Sequence, residues 1–281
     1  MISGTLLIDK EIGITSRKEV NNISHCLGEK KAGHIGTLDP FADGLLIVLL
    51  GKATKISPFL EGMDKTYLAT LKLGIATDSG DLDGNIIEEK EVPNLDKKQI
   101  ENVLLSFKGK QKQIPPMYSA LKVDGKELYK YAREGKQIKR KERDIEIHEI
   151  KLLNYANNKV QFIAKVSKGT YIRTLGEDIA KRLGSIGHLT KLTRLAVGPF
   201  TLENAKKSKD VTVNDLISTK KMLEFMPSFE VSGELAKYAL NGMHFRLPIN
   251  DEKVLLYDKD DVIAIYERNE KGVYCCIRGL R

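Results

Sequence analysis

The segment that decides the fold of this chain is residues 33–40, which read Gly-His-Ile-Gly-Thr-Leu-Asp-Pro. Two glycines bracket His34, so the backbone there can approach a ligand closely or adopt a positive φ. Pro40 favours an extended conformation at Asp39. We therefore expect an ordered loop that presents a carboxylate at a rigid turn. Local features leave two interpretations open: Asp39 is a functional carboxylate, or Asp39 caps a backbone element while His34 packs against a neighbour.

Regular elements are predicted on both sides of this loop. Residues 4–9 read as a strand. A capping box at Ser16–Glu19 begins a helix, which Gly28 ends. After the loop, apolar runs predict strands at 45–50 and 67–73. The carboxylate loop is thus expected between a helix and a strand.

The rest of the chain continues this mixture and then changes character. Helical spacing covers residues 95–107, and residues 160–166 alternate as a half-buried strand that runs through 167–173 into a helix. A further strand is predicted at 192–197. After Pro227 come three short strands separated by turns, a pattern typical of a small β domain, at residues 254–257, 262–266 and 273–277.

Charge and composition restrict the possible partners. The chain has 281 residues, a net charge of +8 and a pI near 9.1, which suggests a polyanionic partner such as nucleic acid. Residues 126–143 hold eight Lys or Arg against three Glu. Two interpretations of that stretch are open, a solvated charged hairpin or an RNA-binding segment. The longest apolar run, 45–50, is too short to span a bilayer, and the N-terminus lacks a signal-peptide pattern, so we expect a cytoplasmic protein.

Neither a metal nor a disulfide is predicted. Cys26, Cys275 and Cys276 form no C-x-x-C pair, as expected of thiols in a reducing cytosol. Residues 78–85 are similar to the start of a calcium loop. In the best register, however, Ile86 and Val92 would stand where such a loop requires Gly and a bidentate Glu. We interpret the segment as a polar loop.

A longer stretch around the loop carries a family resemblance. Residues 31–52 closely resemble the signature loop of TruB-type pseudouridine synthases. In that family the Asp of the G-x-L-D-P segment is catalytic, which assigns Asp39. The His of the G-H segment inserts into the T-loop of tRNA beside the target nucleotide, which assigns His34 to RNA binding.

Further segments resemble family motifs in the same order, over roughly residues 1–200. Residues 4–16 resemble the first motif, which assigns Lys10 to RNA binding, although Glu11 stands where the family usually has proline. The segments 65–67 and 167–174 match those that hold the active-site tyrosine and arginine, which implies Tyr67 and Arg173. The segment 192–195 matches the place of an apolar residue that lines the uracil pocket, which implies Leu195. Residues 113–120 also have a family counterpart.

The resemblance implies a fold and a domain organisation. We expect an α+β chain, with a mixed, mainly antiparallel sheet and flanking helices in a catalytic domain over residues 1–224. A short PUA-like RNA-binding domain is expected over 225–281. A basic, RNA-gripping insertion is expected at about 124–144, and its proposed phosphate contacts are Lys126, Lys130, Arg133, Lys136, Lys139, Arg140, Lys141 and Arg143.

The implied activity is isomerisation of uridine to pseudouridine at position 55, in the T-loop of tRNA. It needs no cofactor, since neither redox change nor group donor is involved. The partner expected is the T-arm of tRNA, with the acceptor end held by the C-terminal domain, and the protein is expected to be a monomer. Two alternatives remain: a guide-dependent synthase within a ribonucleoprotein, and a non-catalytic protein that binds or folds tRNA. The sequence leaves open whether Asp39 acts as nucleophile or base.

Overall fold

The computed structural model describes residues 2–281. Its helices are α1 Ser16–Leu27, α2 Ser57–Glu61, α3 Lys97–Leu105, α4 Leu128–Arg133, α5 Ile172–Arg182, α6 Thr219–Met222 and α7 Gly233–Leu240. Its strands are β1 Gly4–Lys10, β2 Ala32–Ile35, β3 Asp43–Leu50, β4 Lys65–Leu73, β5 Ile75–Thr77, β6 Ile86–Glu89, β7 Gly109–Gln113, β8 Lys122–Val123, β9 Lys126–Glu127, β10 Arg143–Ala156, β11 Lys159–Val166, β12 Gly187–Val197, β13 Phe200–Thr201, β14 Ser228–Glu230, β15 Lys253–Asp258, β16 Asp261–Arg268 and β17 Tyr274–Gly279.

A large sheet organises the first 201 residues. Its strand order is β1-β3-β12-β4-β11-β10-β7, with β2 added to β3 and β13 to β12. The strands β12 and β3 run parallel, whereas the other neighbours along this order are antiparallel. Helices α1, α3 and α5 cover the sheet and bury one apolar core with it. The predicted α+β class with a mixed, mainly antiparallel sheet is confirmed.

The parallel pairing of β12 with β3 fixes the position of the loop that carries Asp39. Thr193 and Arg194 pair with Asp43 and Gly44, the first residues of β3. On the other side of β12, Arg194 pairs with Tyr67 of β4. The end of the loop that carries Asp39 is therefore held beside the strand that carries Tyr67.

The start of α1 differs from the predicted capping box. Thr15, not Ser16, is the N-cap, because its Oγ1 accepts a hydrogen bond from the Lys18 amide at 3.1 Å. Gly28 ends the helix with φ 69°, as predicted. Ser16 is thereby the first helical residue, and its hydroxyl is free to bond elsewhere.

A second sheet lies at the C-terminal end, in the order β14-β15-β16-β17. One of its faces packs with α7 in a core of its own. The other contributes Leu255, Ile265 and Leu280 to a core shared with Leu7 and Ile47 of the large sheet. The predicted C-terminal β element is confirmed, while its PUA-like character and the boundary at residue 225 stay predictions. None of the helices within residues 2–281 is long and apolar enough to cross a membrane.

Truncation in this shared core tests the packing of the two sheets. Ile265 is fully buried, and we expect Ile265→Ala to lower the free energy of unfolding by about 2–5 kcal/mol through lost transfer energy and a residual cavity. Urea denaturation measures the change, with exposed Val213→Ala as the control. A single transition is expected for the wild-type chain, since the two sheets share a core. Two separate transitions, or a loss no larger than the control's, would contradict this packing.

Candidate active site

The segment predicted as a loop is partly a strand. His34 lies in β2 and pairs with Val48 of β3, and the irregular part begins only at Gly36, whose φ is 64°. Gly33 has no positive φ, so the freedom predicted for both glycines is used at one of them. The carboxylate loop therefore comprises residues 36–42, between β2 and β3.

Two hydrogen bonds from one buried hydroxyl hold this loop against α1. Ser16 Oγ accepts from the Leu38 amide at 2.8 Å and donates to the Leu38 carbonyl at 3.0 Å. The loop is further closed by the Ala42 amide, which donates to the Asp39 carbonyl at 3.1 Å. The backbone next to Asp39 is thus fixed on both sides.

Asp39 and Arg173 form a two-pronged ion pair. Arg173 Nε lies 2.9 Å from Asp39 Oδ2, and Nη2 donates to Oδ1 at 3.2 Å. The guanidinium lies at the start of α5 and is 4% exposed, whereas the Asp39 side chain is 34% exposed. Such fork-to-fork pairing fixes direction as well as distance. Arg173 orients a carboxylate that still faces the solvent side.

Arg173 is itself fixed by three further acceptors. Its Nη1 lies 3.4 Å from the buried Asp81 carboxylate and donates to the Ser79 carbonyl at 2.9 Å. Its Nη2 also donates to the Tyr118 carbonyl at 2.6 Å. Asp81 comes from the acidic segment interpreted above as a polar loop, and sequence reasoning did not assign it a site role. The only feature of the sequence that pointed to Asp81 was its place in an acidic segment that lacks the residues of a calcium loop.

Burial dominates the electrostatics of Asp39. Desolvation raises the pKa of this carboxyl above its ordinary value, and the Asp81 charge adds to the rise, while the Arg173 guanidinium opposes it. Within residues 2–281, no group of three or more Asp, Glu, His or Cys could hold a metal ion.

The pair opens into a cleft of about 940 Å³. Tyr67 lines it from β4, and residues 166–173 line it as well. Leu192 and Arg194 line it from β12, but Leu195 does not, so the placement of Leu195 in the pocket is wrong. Side chains alternate along a strand, so Leu195 is expected on the face opposite to that of Leu192 and Arg194. Leu192 is the apolar residue at this position.

His34 lies at the rim of the same cleft. Its Nε2 lies 3.3 Å from Thr37 Oγ1, while Nδ1 is buried without a partner in the described chain. Burial and the nearby Arg17 and Arg194 charges lower the pKa of His34 to about 4. The imidazole is therefore neutral at physiological pH and presents a flat, uncharged ring.

Lys10 is not available for RNA binding. It is 0% exposed, and its ammonium donates to the carbonyls of Glu11 and Ile14, each at 2.8 Å. Placing Lys10 among the RNA-binding residues was wrong, because β1 buries the side chain and the following turn takes up its hydrogen bonds. Its charge acts on Asp39 only through space.

The basic insertion forms a small hairpin, β8–β9, followed by α4. Three of its eight cations are paired with glutamates of the same segment: Lys126 and Lys136 with Glu134, and Lys130 with Glu127. The other five form no ion pair within residues 2–281: Arg133 stacks on Tyr129, Arg140 donates to the Pro115 carbonyl, Arg143 lines the cleft from β10, and Lys139 and Lys141 are exposed.

A search of protein families matches residues 24–172 to the TruB family pseudouridylate synthase (N terminal domain). This segment includes Asp39 and Tyr67 and ends one residue before Arg173. The chain belongs to the TruB family.

Similar proteins cover most of its length. The tRNA pseudouridine synthase B of Hydrogenovibrio crunogenus is 50% identical over 213 residues, which are 76% of this chain and 70% of that one. The protein of the same name from Francisella philomiragia subsp. philomiragia is 41% identical over 278 residues, or 95% of this chain and 91% of the relative. The resemblance of this TruB-family chain is therefore not confined to the loop.

The fold of this TruB-family chain matches solved structures. A chain of the Cbf5-Nop10-Gar1 complex covers 99% of it with a TM-score of 0.77, at 24% identity and over 85% of that chain. A chain of the archaeal box H/ACA sRNP Nop10-Cbf5 complex gives a TM-score of 0.72 at 21% identity, over 99% of this chain and 86% of that one. At such identities the comparison establishes the fold alone.

Removal of the second carboxylate tests the arrangement around Arg173. We expect Asp81→Asn to lower the single-turnover rate of pseudouridine formation by about 10- to 100-fold. Arg173 loses a charged partner in this variant, and the Asp39 carboxylate shifts as a result. RNA affinity should stay within a few-fold. Asp83→Asn, an exposed carboxylate of the same loop, is the matched control. Equal rates for the two variants would contradict the assignment of Asp81.

The raised pKa of Asp39 predicts the acid side of the pH–rate profile. If only the ionised carboxylate is active, the rate falls as protons bind, and the fall begins at a higher pH than for an ordinary aspartate near 3.8. Asp81→Asn removes a like charge that raises this pKa, so its acid limb should lie at lower pH than that of the wild type. Single-turnover rates between pH 4.5 and 8 measure both. An acid limb of Asp81→Asn at higher pH would contradict the electrostatic account.

Proposed function

We propose that this protein converts uridine to pseudouridine in the T-loop of tRNA, at position 55, without a cofactor. The observation that carries the proposal is the Asp39–Arg173 pair, which lies in a cleft lined by Tyr67 in a member of the TruB family. The relatives that resemble most of the chain are named tRNA pseudouridine synthase B, which supports tRNA as the substrate.

The chemistry needs an ionised carboxylate close to the ribose. The N-glycosidic bond breaks, the uracil turns, and a bond forms to its carbon 5, so that substrate and product are isomers. Asp39 either attacks the sugar or removes a sugar proton, and both actions require the carboxylate form. Arg173 favours that form electrostatically against the cost of burial. It also aims the carboxylate by bonding both oxygens.

The target base must leave the RNA stack to reach Asp39, at a cost of a few kcal/mol. The cleft offers Tyr67 as a flat surface for the uracil and Leu192 as an apolar wall. The Tyr67 hydroxyl is a candidate for proton transfer to or from the base. We assign to His34 the role of filling the gap left in the T-loop, which its neutral ring and its position at the rim support.

RNA binding is assigned to two further regions. The insertion, at about residues 124–144, grips phosphates, chiefly through the cations that are free of glutamate partners. Residues 225–281 form the proposed RNA-binding domain that contacts the acceptor end, and residues 1–224 form the catalytic domain. A basic insertion that binds tRNA directly favours a stand-alone enzyme over a guide-dependent synthase. The enzyme is further proposed to be a cytoplasmic monomer.

An assay with a single protein tests the activity. Purified protein is incubated with an unmodified tRNA transcript, and pseudouridine is mapped by position. We expect product at position 55 alone, and a loss of at least about 10³-fold in rate with Asp39→Asn, since no other carboxylate occupies its place. A matched control is Asp43→Asn, at the first residue of β3 directly after the loop. Absence of product with a correctly folded protein would exclude the stand-alone enzyme. A wild-type rate for Asp39→Asn would refute the catalytic assignment.

Salt dependence separates free from paired cations in the insertion. Reversal of Lys139 and Lys141 to Glu should weaken tRNA binding and reduce the slope of log K against log salt by about 0.7–0.9 for each lost phosphate contact. The control reverses Lys72 and Lys159, which pair at the opposite end of the sheet from the cleft. Binding by fluorescence anisotropy at several salt concentrations measures the slopes. An equal change in the control would show that net charge alone determines affinity.

A further inference from the structure

Arg194 is a buried cation that the proposed chemistry leaves unused. It lies in β12, is 1% exposed, and is the largest fully buried side chain among the described residues. No carboxylate lies within ion-pair distance of it in residues 2–281. Burial of a guanidinium without a counter-ion is costly unless its donors find other acceptors. Its hydrogen bonds therefore reveal what the side chain does.

The acceptors of Arg194 lie at both ends of the carboxylate loop. Nε donates to the Leu45 carbonyl, just after the loop, at 2.7 Å. Nη2 donates to the Gly36 carbonyl, where the loop begins, at 2.8 Å, with a longer contact of 3.5 Å to Ile35. The planar guanidinium of Arg194 thus links the end of β2 to β3, the two strands that flank the loop of Asp39.

The glycines of the loop make this approach possible. A Cβ on Gly36 would lie 3.1 Å from Arg194 Nη1 and would strain a backbone with φ 64°. A Cβ on Gly44 would lie 2.5 Å from the Arg194 carbonyl oxygen. Both the side chain and the backbone of Arg194 thus require close contact with the loop. Neither glycine can gain a side chain without displacing Arg194.

The charge of Arg194 also reaches the cleft. It contributes to the lowered pKa of His34, and to that of Lys65, which burial lowers to about 8. These shifts accompany the geometry and do not depend on a bound substrate. The residue therefore influences both the position and the electrostatics of the groups around Asp39.

We propose that Arg194 is the positioning residue that fixes the Asp39 loop, by bridging the carbonyl groups at its two ends. The inference rests on the proposed function, since it is measured through that reaction. Arg194 acts on the reaction through the loop backbone, not by bonding to Asp39. A lysine keeps the charge but lacks the fork, so it can hold only one end of the loop.

The test compares Arg194→Lys and Arg194→Met with the wild type. We expect single-turnover rates lowered by about 10-fold for lysine and about 100-fold for methionine, because misplacement of a reacting group by 1 Å has effects of that size. The dissociation constant for tRNA should stay within about threefold. Amide hydrogen exchange should increase in residues 36–44 in both variants. Val160→Ala, a core truncation in β11, is the control for lost stability, and its rate per folded molecule should be unchanged.

Gly36→Ala is an independent perturbation that keeps the arginine but crowds its guanidinium fork. It should reproduce the fall in rate with little change in affinity. The inference is overturned by a full wild-type rate in Arg194→Lys, by unchanged exchange in the loop, by a loss confined to affinity, or by failure of all three variants to fold. Absence of product from the wild-type protein would instead refute the proposed function.

Discussion

The site depends on a guanidinium that is almost fully buried between two carboxylates. Arg173 bonds both oxygens of Asp39 and also pairs with Asp81, so one positive charge is shared between two carboxylates. Burial works against ionisation of Asp39, and the pair with Arg173 works for it. Such a balance is sensitive to distance. The surrounding structure must therefore hold the loop, the start of α5 and the acidic segment in fixed relation.

The loop and the start of α5 are held mostly by hydrogen bonds to backbone atoms. Ser16 of α1 hydrogen-bonds the backbone of Leu38, and Arg194 of β12 donates to carbonyls on both sides of the loop. Arg173 donates to the carbonyl of Tyr118. Bonds to backbone atoms fix a position whatever side chains lie there. They leave the Asp39 side chain free on its solvent side. The sheet supplies the frame, and a few long or polar side chains set the loop within it.

The sequence predicted five strands of the large sheet, which are β1, β3, β4, β11 and β12, but not β2, β7, β10 or β13. It also predicted the residues of the carboxylate loop. Asp39, Tyr67 and Arg173 are far apart in the chain, yet the structure brings them to one cleft, as the family resemblance implied. Local patterns missed contacts that only the assembled sheet creates. Two examples are the burial of Lys10 and the presence of Leu192, in place of Leu195, in the cleft wall. The side of a sheet to which a residue points depends on strand register and not on composition. Asp81 was missed because its partner lies 92 residues further along.

The Tyr118 carbonyl limits how this chain could be shortened or rebuilt. Tyr118 lies six residues before the basic insertion, and its carbonyl is one of the acceptors that hold Arg173. Gln113, just upstream, bonds both the amide and the carbonyl of Tyr171. The segment that precedes the insertion thus helps to hold the groups around Asp39. Insertions, deletions and grafted loops are therefore compatible with an intact centre only beyond residues 113–121, since residues 119–121 also line the cleft.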